Sequence, residues 1–415
     1  MSEVVFTKEM KKDYTILIPT MLPMHFKILA QIFSTYGYKA ELLENVGQNV
    51  VDSGLKYVHN DTCYPALLVI GQFIDALESG KYDPRKVALL LTQTGGGCRA
   101  SNYISLLRKA LIKAGYDYVP VISLNFSGLE SAPGFKITLP MLQRMVYGVF
   151  YGDLLMLLRN QCRPYEVNIG ETDRLCEKWT ERIVCEMKDR GVKYSQVKKN
   201  YKAIVKDFAG IERTKETRVK VGIVGEIFVK FSPLGNNNLE DFLVSEGAEV
   251  SMPGLVDFCL YCVYNGVVDR ELYGTSAVKA AVMKWAFNFV VKKQNDIISA
   301  VKENSDFTPP TPIDHTKSLV DGYVGLGTKM GEGWLLPAEM LELIDSGVKN
   351  IVCAQPFGCL PNHIVGKGMM KPIKERNPDV NIVAIDYDPG ATKINQENRI
   401  KLMLSCAADN LKKNV

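Results

Sequence analysis

Four apolar runs of six residues punctuate the first 125 positions, each separated from the next by a longer stretch with helical spacing. They are Tyr14–Pro19 (YTILIP), Lys39–Glu44 (KAELLE), Val87–Thr92 (VALLLT) and Val119–Leu124 (VPVISL). Between them, Met24–Tyr36, Pro65–Ser79 and Ser101–Ala114 read as helices, the last ended by Gly115. Strands that alternate with helices of ten or more residues cannot pair as hairpins, so they form βαβ units around a parallel sheet. The alternation lapses over Leu139–Ile211, where only helical periodicity is visible, and returns at Arg218–Val229 (RVKVGIVGEIFV).

The second half then predicts a helix over Asn238–Ser245, a strand at Glu249–Met252, and long helices over Leu255–Tyr264 and Glu271–Glu303. A proline-rich break follows at Asp306–Asp314, then a helix over Ala338–Asp345 capped by Gly347. A strand at Asn350–Ala354, a helix from Pro361, a strand at Asn381–Ile385 and a helix from Thr392 complete the chain. At 415 residues the chain is long enough for about two to three domains. The expected fold class is α/β: two Rossmann-like parallel-sheet domains facing a cleft, over 1–138 and 217–415, joined by a helical segment over 139–216. The C-terminal domain would carry a helical insertion over 255–304.

Composition removes several classes of function. With 47% hydrophobic and 23% charged residues, this is neither a disordered chain nor a collagen-like fibre. Fifty basic against 46 acidic residues leave no electrostatic footprint for nucleic acid or a membrane surface. Lys193–Lys220 is locally basic and reads as a solvated helix face or linker. The most apolar run, Met145–Leu158, is too short to span a bilayer and carries Asp153 in its middle. The first residues do not have the form of a signal peptide, so a cytoplasmic location is expected. Ten cysteines are too few for a disulfide framework, and in a reducing compartment they are free thiols, metal ligands or redox groups.

Three of those cysteines share a setting. Asp61-Thr-Cys63-Tyr-Pro65, Gly95-Gly96-Gly97-Cys98-Arg99 and Pro356-Phe-Gly358-Cys359-Leu-Pro361 each put a cysteine just before a predicted helix. Proline two residues later suits a first helical turn in two of them. Cys98 and Cys359 also follow buried strands, at the carboxyl end where open α/β sheets bind ligands. A thiolate there faces unpaired N–H groups and the positive end of the helix dipole, which predicts a lowered pKa and better metal ligation. Adjacent glycine (Gly96, Gly97, Gly358) lets the backbone approach a bulky group. On residue pattern alone an iron–sulfur site, a catalytic thiol and inert cysteines all stay open. Cys162, Cys176, Cys185 and Cys406 fall in helical patterns and Cys353 inside a strand, while Cys259-Leu-Tyr-Cys262 reads as a pair of buried helix residues.

Taken together, several stretches resemble the 2-hydroxyacyl-CoA dehydratase component family, in particular its branch of CoA-protein activases and dehydratase-activase-related proteins. They are the CYP motif at Cys63, GGGCRASNY (Gly95–Tyr103), VGEIFVKFSPLGNN (Val224–Asn237), PFGCLPNH (Pro356–His363) and IDYDPGATKINQENRIKLML (Ile385–Leu404), spread over nearly the whole chain. The resemblance implies a [4Fe-4S] cluster on Cys63, Cys98 and Cys359 with one iron open to substrate. An [8Fe-9S] double-cubane cluster, as in some relatives, is the alternative. It also implies an ATP-hydrolysing iron–sulfur activator as electron donor, a small-molecule or acyl-CoA substrate, and a homo- or heterodimer closing the cleft. The likeness is weaker in the second half and in the glycine-rich loop, which puts the acyl-CoA in question more than the cluster. The chain has no G-x-x-x-x-G-K-[ST] phosphate loop, so a partner must hydrolyse any ATP.

Around these cysteines, His363 stands about one helical turn beyond Cys359, as a candidate acid or a capping residue. Arg99 is placed to balance cluster charge, hold an anionic substrate or form a surface ion pair. Gly325-Leu-Gly-Thr-Lys-Met-Gly331 departs from dinucleotide spacing and reads as a loop bordering the cleft. Asp386 and Asp388 read as turn and cap residues, and His25, His59 and His315 show no shared metal spacing. Three functions follow as expectations. The first is an oxygen-sensitive iron–sulfur protein that accepts low-potential electrons and reduces a small molecule or dehydrates a 2-hydroxyacyl-CoA. The second is a non-catalytic electron-transfer or scaffold subunit of the same system. The third is a metal-free α/β binding protein.

Overall fold

The structure, a computed structural model, describes residues 4–59, 61–94, 97–125 and 132–413. It contains two four-stranded sheets, both wholly parallel. The first is built from β1 (Thr15–Ile18), β2 (Lys39–Leu42), β3 (Val87–Thr92) and β4 (Val121–Leu124) in the order β2-β1-β3-β4. The second, from β5 (Lys220–Gly225), β6 (Glu249–Ser251), β7 (Asn350–Pro356) and β8 (Asn381–Tyr387), repeats that order as β6-β5-β7-β8. The central strands β3 and β7 are buried along nearly their whole length, and helices on both faces account for their unbroken apolar sequence.

Period-two alternation sorts the core. Ile16 and Ile351 enter one apolar cluster, Leu17 and Val352 the other, so each cluster takes one face of both sheets. The helices Leu139–Cys162, Glu171–Glu186 and Tyr194–Ala209 join the two sheets. Thr138 caps the first of them by accepting the Met141 N–H, with Pro140 in its first turn. The basic stretch beyond Lys193 is a solvated face whose Lys198, Lys202 and Arg213 pair with Asp296, Glu303 and Asp306.

Two departures from the sequence reading affect the site. The helix Gln48–Tyr57 was not anticipated, because few of its residues are apolar. It packs tightly on the helix Tyr64–Glu78, since a Cβ at Gly71 would lie 2.1 Å from the Val50 carbonyl oxygen. That contact fixes the helix whose start carries Cys63. In the second half, the helix from Leu255 runs on to Tyr273, and the break to the next helix, Ala277–Asn304, falls at 274–276, where Ser276 caps Lys279.

In each sheet the first and third strands of the chain lie side by side, and their outgoing connections wind to opposite faces. The crevice that opens there is where parallel sheets hold ligands. Cys98 leaves the end of β3, Cys359 the end of β7, and Glu226 the end of β5. The topology therefore delivers these side chains to corresponding ends of the two sheets.

Candidate functional site

Each of the three cysteines sits just before a helix or helical turn, where a first-turn backbone N–H favours its thiolate. Cys63 occupies the N-cap of Tyr64–Glu78, with Pro65 in the first turn; the Ala66 N–H donates to the Cys63 carbonyl at 3.0 Å and, from there, also favours the thiolate. Cys98 precedes the 3-10 turn Arg99–Asn102 without capping it through its sulfur, and the nearby Ala100 N–H favours its thiolate. Cys359 precedes a helical segment that opens into a π-turn over Asn362–Lys367, and the nearby Asn362 N–H favours its thiolate. The Tyr103 hydroxyl lies 3.0 Å from the Cys63 sulfur, and burial holds the Tyr103 pKa well above its usual value, so it keeps a proton that a thiolate there could accept.

Backbone contacts draw the loops together across the seam between the halves. The Tyr64 N–H donates to the Phe357 carbonyl at 3.0 Å, tying the residue after Cys63 to the loop before Cys359. Gly358 adopts φ +72°, and a Cβ on it would stand 3.1 Å from the Cys63 α-carbon. Any larger residue is therefore strained there and also obstructed. Cys98 is within electrostatic reach of both Cys63 and Cys359. Cys63 and Cys359 are buried and Cys98 is half-buried. The three thiols, distant in sequence, come within electrostatic reach of one another at the seam.

The expected fall in thiol pKa does not occur. Burial raises all three, Cys98 to about 11, and outweighs the N–H donors. The carboxyl groups of Glu226 and Glu332 add to the effect on Cys98 and Cys359. Without a cation the thiols are therefore neutral, and metal binding would have to release their protons.

Glu226 and Glu332 are the residues that sequence reasoning missed. Glu226 caps the short helix Ile227–Phe231 by accepting the Val229 N–H, and burial, with the Glu332 charge, pushes its pKa up to about 8. Glu332 accepts the Ile227 N–H at 3.0 Å through Oε1, while its buried Oε2 has no partner. Both carboxyls reach the seam from elements that only the fold brings together. A stability test follows. Between the ordinary value of 4.5 and about 8, the folded chain keeps a proton on Glu226 that the unfolded chain has released. Raising pH through that window therefore favours unfolding, and denaturant midpoints of the metal-free protein should fall, less so for Glu226→Gln. Midpoints that rise with pH in both proteins would contradict a buried, protonated Glu226.

The other sequence-predicted residues occupy the rim. Arg99 is exposed, and its charge favours the Cys63 thiolate. His363 is exposed, with Nδ1 against the Gln355 side-chain amide. The Gly97 N–H points at the Met330 sulfur at 2.9 Å, so the glycine loop Gly325–Gly331 does border the site. Gly96 lies outside the described residues. Cys353 is fully buried in β7 behind the site. Cys259 and Cys262, expected to be buried, are instead reached by solvent on the helix Leu255–Tyr273, with Cys262 in electrostatic reach of Glu332. The remaining histidines pair separately, His25 with Asp153, His59 with Asp61 and His315 with Asp345.

Among the described residues no three His, Cys, Asp or Glu side chains are gathered to hold a single metal ion. A cubane makes a looser demand, because each thiolate takes a different iron and the sulfurs stand apart around the cluster. Three cysteines at the seam and a buried carboxylate oxygen without a partner fit that demand in ligand number and chemistry. A cavity of about 120 Å³, lined by Asp153, Asp257 and Glu342, lies elsewhere and touches none of the three cysteines. Among the described residues no helix is long and apolar enough to cross a membrane. No protein-family profile matches the chain, and no curated protein is significantly similar to it.

Proposed function

We propose that this chain is an oxygen-sensitive iron–sulfur protein that holds a [4Fe-4S] cluster on Cys63, Cys98 and Cys359 and accepts low-potential electrons from an ATP-hydrolysing activator. One feature supports the reading: three cysteines from separate loops, each just before a helix or helical turn, lie within electrostatic reach of one another at the seam. Bound there, the cluster would supply one-electron chemistry. The chain's own groups would hold and tune it. The Ala66, Ala100 and Asn362 N–H groups and the Tyr103 hydroxyl would stabilise thiolate charge, as hydrogen bonds to cluster sulfur do. Arg99 would offset negative charge from the rim. His363, exposed one turn beyond Cys359, would be the nearest imidazole to a substrate entering there.

Phe357, Leu360, Ile364 and Met330 are exposed around this rim and form an apolar border against which an activator would seat. The electron would then pass to a small molecule or a 2-hydroxyacyl-CoA at the fourth iron. In the second reading, the chain hands it to another protein as a carrier subunit, which the apolar rim also suits. The test is to mix the iron-loaded chain anaerobically with reduced activator, with and without ATP. A reduced-cluster EPR signal in this chain is expected only with ATP. An iron-loaded chain that stays oxidised in both mixtures would sink the electron-accepting role. Product formed from an acyl-CoA by the purified components would exclude the carrier role.

A further inference from the structure

We propose that in the resting protein the Glu332 carboxylate closes the fourth iron of the cluster, so that the ligand set is three thiolates and one carboxylate; this rests on the cluster assignment above. Glu332 is 6% exposed, and its Oε2 is enclosed with no hydrogen-bond partner. A carboxylate oxygen buried without a donor is costly unless something else binds it. Glu332 lies in electrostatic reach of Cys98 and Cys359, the ligands from both sheets, while among the described residues the one side-chain cation in its reach, Lys230, is bound to Glu339 and makes no contact with the free oxygen.

The loop that carries Glu332 is held on both ligand loops. Met330 accepts the Gly97 N–H, beside Cys98. Gly331 packs against Pro361, two residues past Cys359, where a Cβ would come within 2.9 Å of the proline ring. The Gly331 carbonyl accepts the Tyr261 hydroxyl at 3.0 Å, and the Ile227 N–H fixes Oε1. The free oxygen is thus positioned by four contacts from four different segments. Glu226, the other buried carboxyl, is committed to capping Ile227–Phe231 and has no orphaned oxygen among the described residues. A hard oxygen donor on the one iron without a thiolate makes a closed resting site, which any substrate oxygen must displace.

The test compares the wild type with Glu332→Gln and Glu332→Cys, each reconstituted and treated with one equivalent of ferricyanide. Ferricyanide takes one electron from [4Fe-4S]2+, giving [4Fe-4S]3+ and ferrocyanide; loss of Fe2+ from that state leaves [3Fe-4S]+, read by its EPR signal. The wild type and Glu332→Cys should keep all four irons. Glu332→Gln should lose about one iron in four and show the three-iron signal. If Glu332→Gln fails to fold, the comparison moves to 57Fe Mössbauer spectra: the wild type should show one distinct iron, which Glu332→Cys converts to a thiolate-like site. Identical iron retention and identical spectra in wild type and variants would overturn the carboxylate ligand while leaving the three-cysteine cluster intact. A wild type that takes up no iron would overturn both.

Discussion

Serine in place of Cys63, Cys98 or Cys359, one at a time, should strip most of the iron from the anaerobically reconstituted protein, while Cys176→Ser should leave it unchanged. The expected loss of affinity exceeds roughly tenfold per ligand, because even groups that only support a metal's ligands are worth about 10–100-fold. Serine keeps the shape of the side chain and leaves the backbone bonds of these loops, such as Tyr64 N–H to Phe357 and Ala66 N–H to Cys63, in place, so the folded, metal-free proteins should have nearly the wild-type denaturant midpoint. Cys176 is buried in the helix Glu171–Glu186, outside the loops that carry the three cysteines. Full iron content in any of the three serine variants would break the ligand assignment. Loss in Cys262→Ser alone would move the site onto the helix Leu255–Tyr273, whose two cysteines are accessible.

A second large effect is expected far from the cysteines. Asp153→Ala should destabilise the protein by about 3 kcal/mol or more, read as a lowered denaturant midpoint. The Asp153 carboxylate accepts the Leu255 and Val256 N–H groups at 2.9 and 2.8 Å, closing the start of the helix Leu255–Tyr273 from another helix. It also bonds His25 Nε2 at 2.8 Å, and His25 is fully buried. Removing the carboxylate leaves three buried donors unpaired, and Gly254 packs so close that a Cβ there would lie 2.4 Å from Oδ2. Asp153→Asn keeps one acceptor oxygen and should lose less. The same helix carries Tyr261, whose hydroxyl holds the loop bearing Glu332, so Asp153→Ala should also weaken iron retention. A midpoint within about 0.5 kcal/mol of wild type would show that the network contributes little.

Much of the fold was legible because its central strands are parallel and covered on both faces. VALLLT and the run around Val352 are apolar without interruption, and such runs bounded by glycine and charge locate buried strands to within a residue or two. The helix Gln48–Tyr57 was not, since its fit depends on Gly71 of a later helix making room for Val50. The cysteine positions were readable because helix starts are local. Their pKa values were not, since the dipole can be inferred from sequence but the burial that outweighs it cannot. Glu332 was hidden for the same reason: its partner Ile227 lies 105 residues away, and the loop showed only that it bordered the site. Asp153, which in sequence only argued against a membrane span, is a buried junction among helices.

Iron and acid-labile sulfide, measured per chain on protein purified and reconstituted without oxygen, test the central claim most directly. A single cubane on Cys63, Cys98 and Cys359 predicts a brown protein with about four irons and about four sulfides per chain. A colourless protein that takes up neither, with those three thiols all free to a titrant after unfolding, would contradict it.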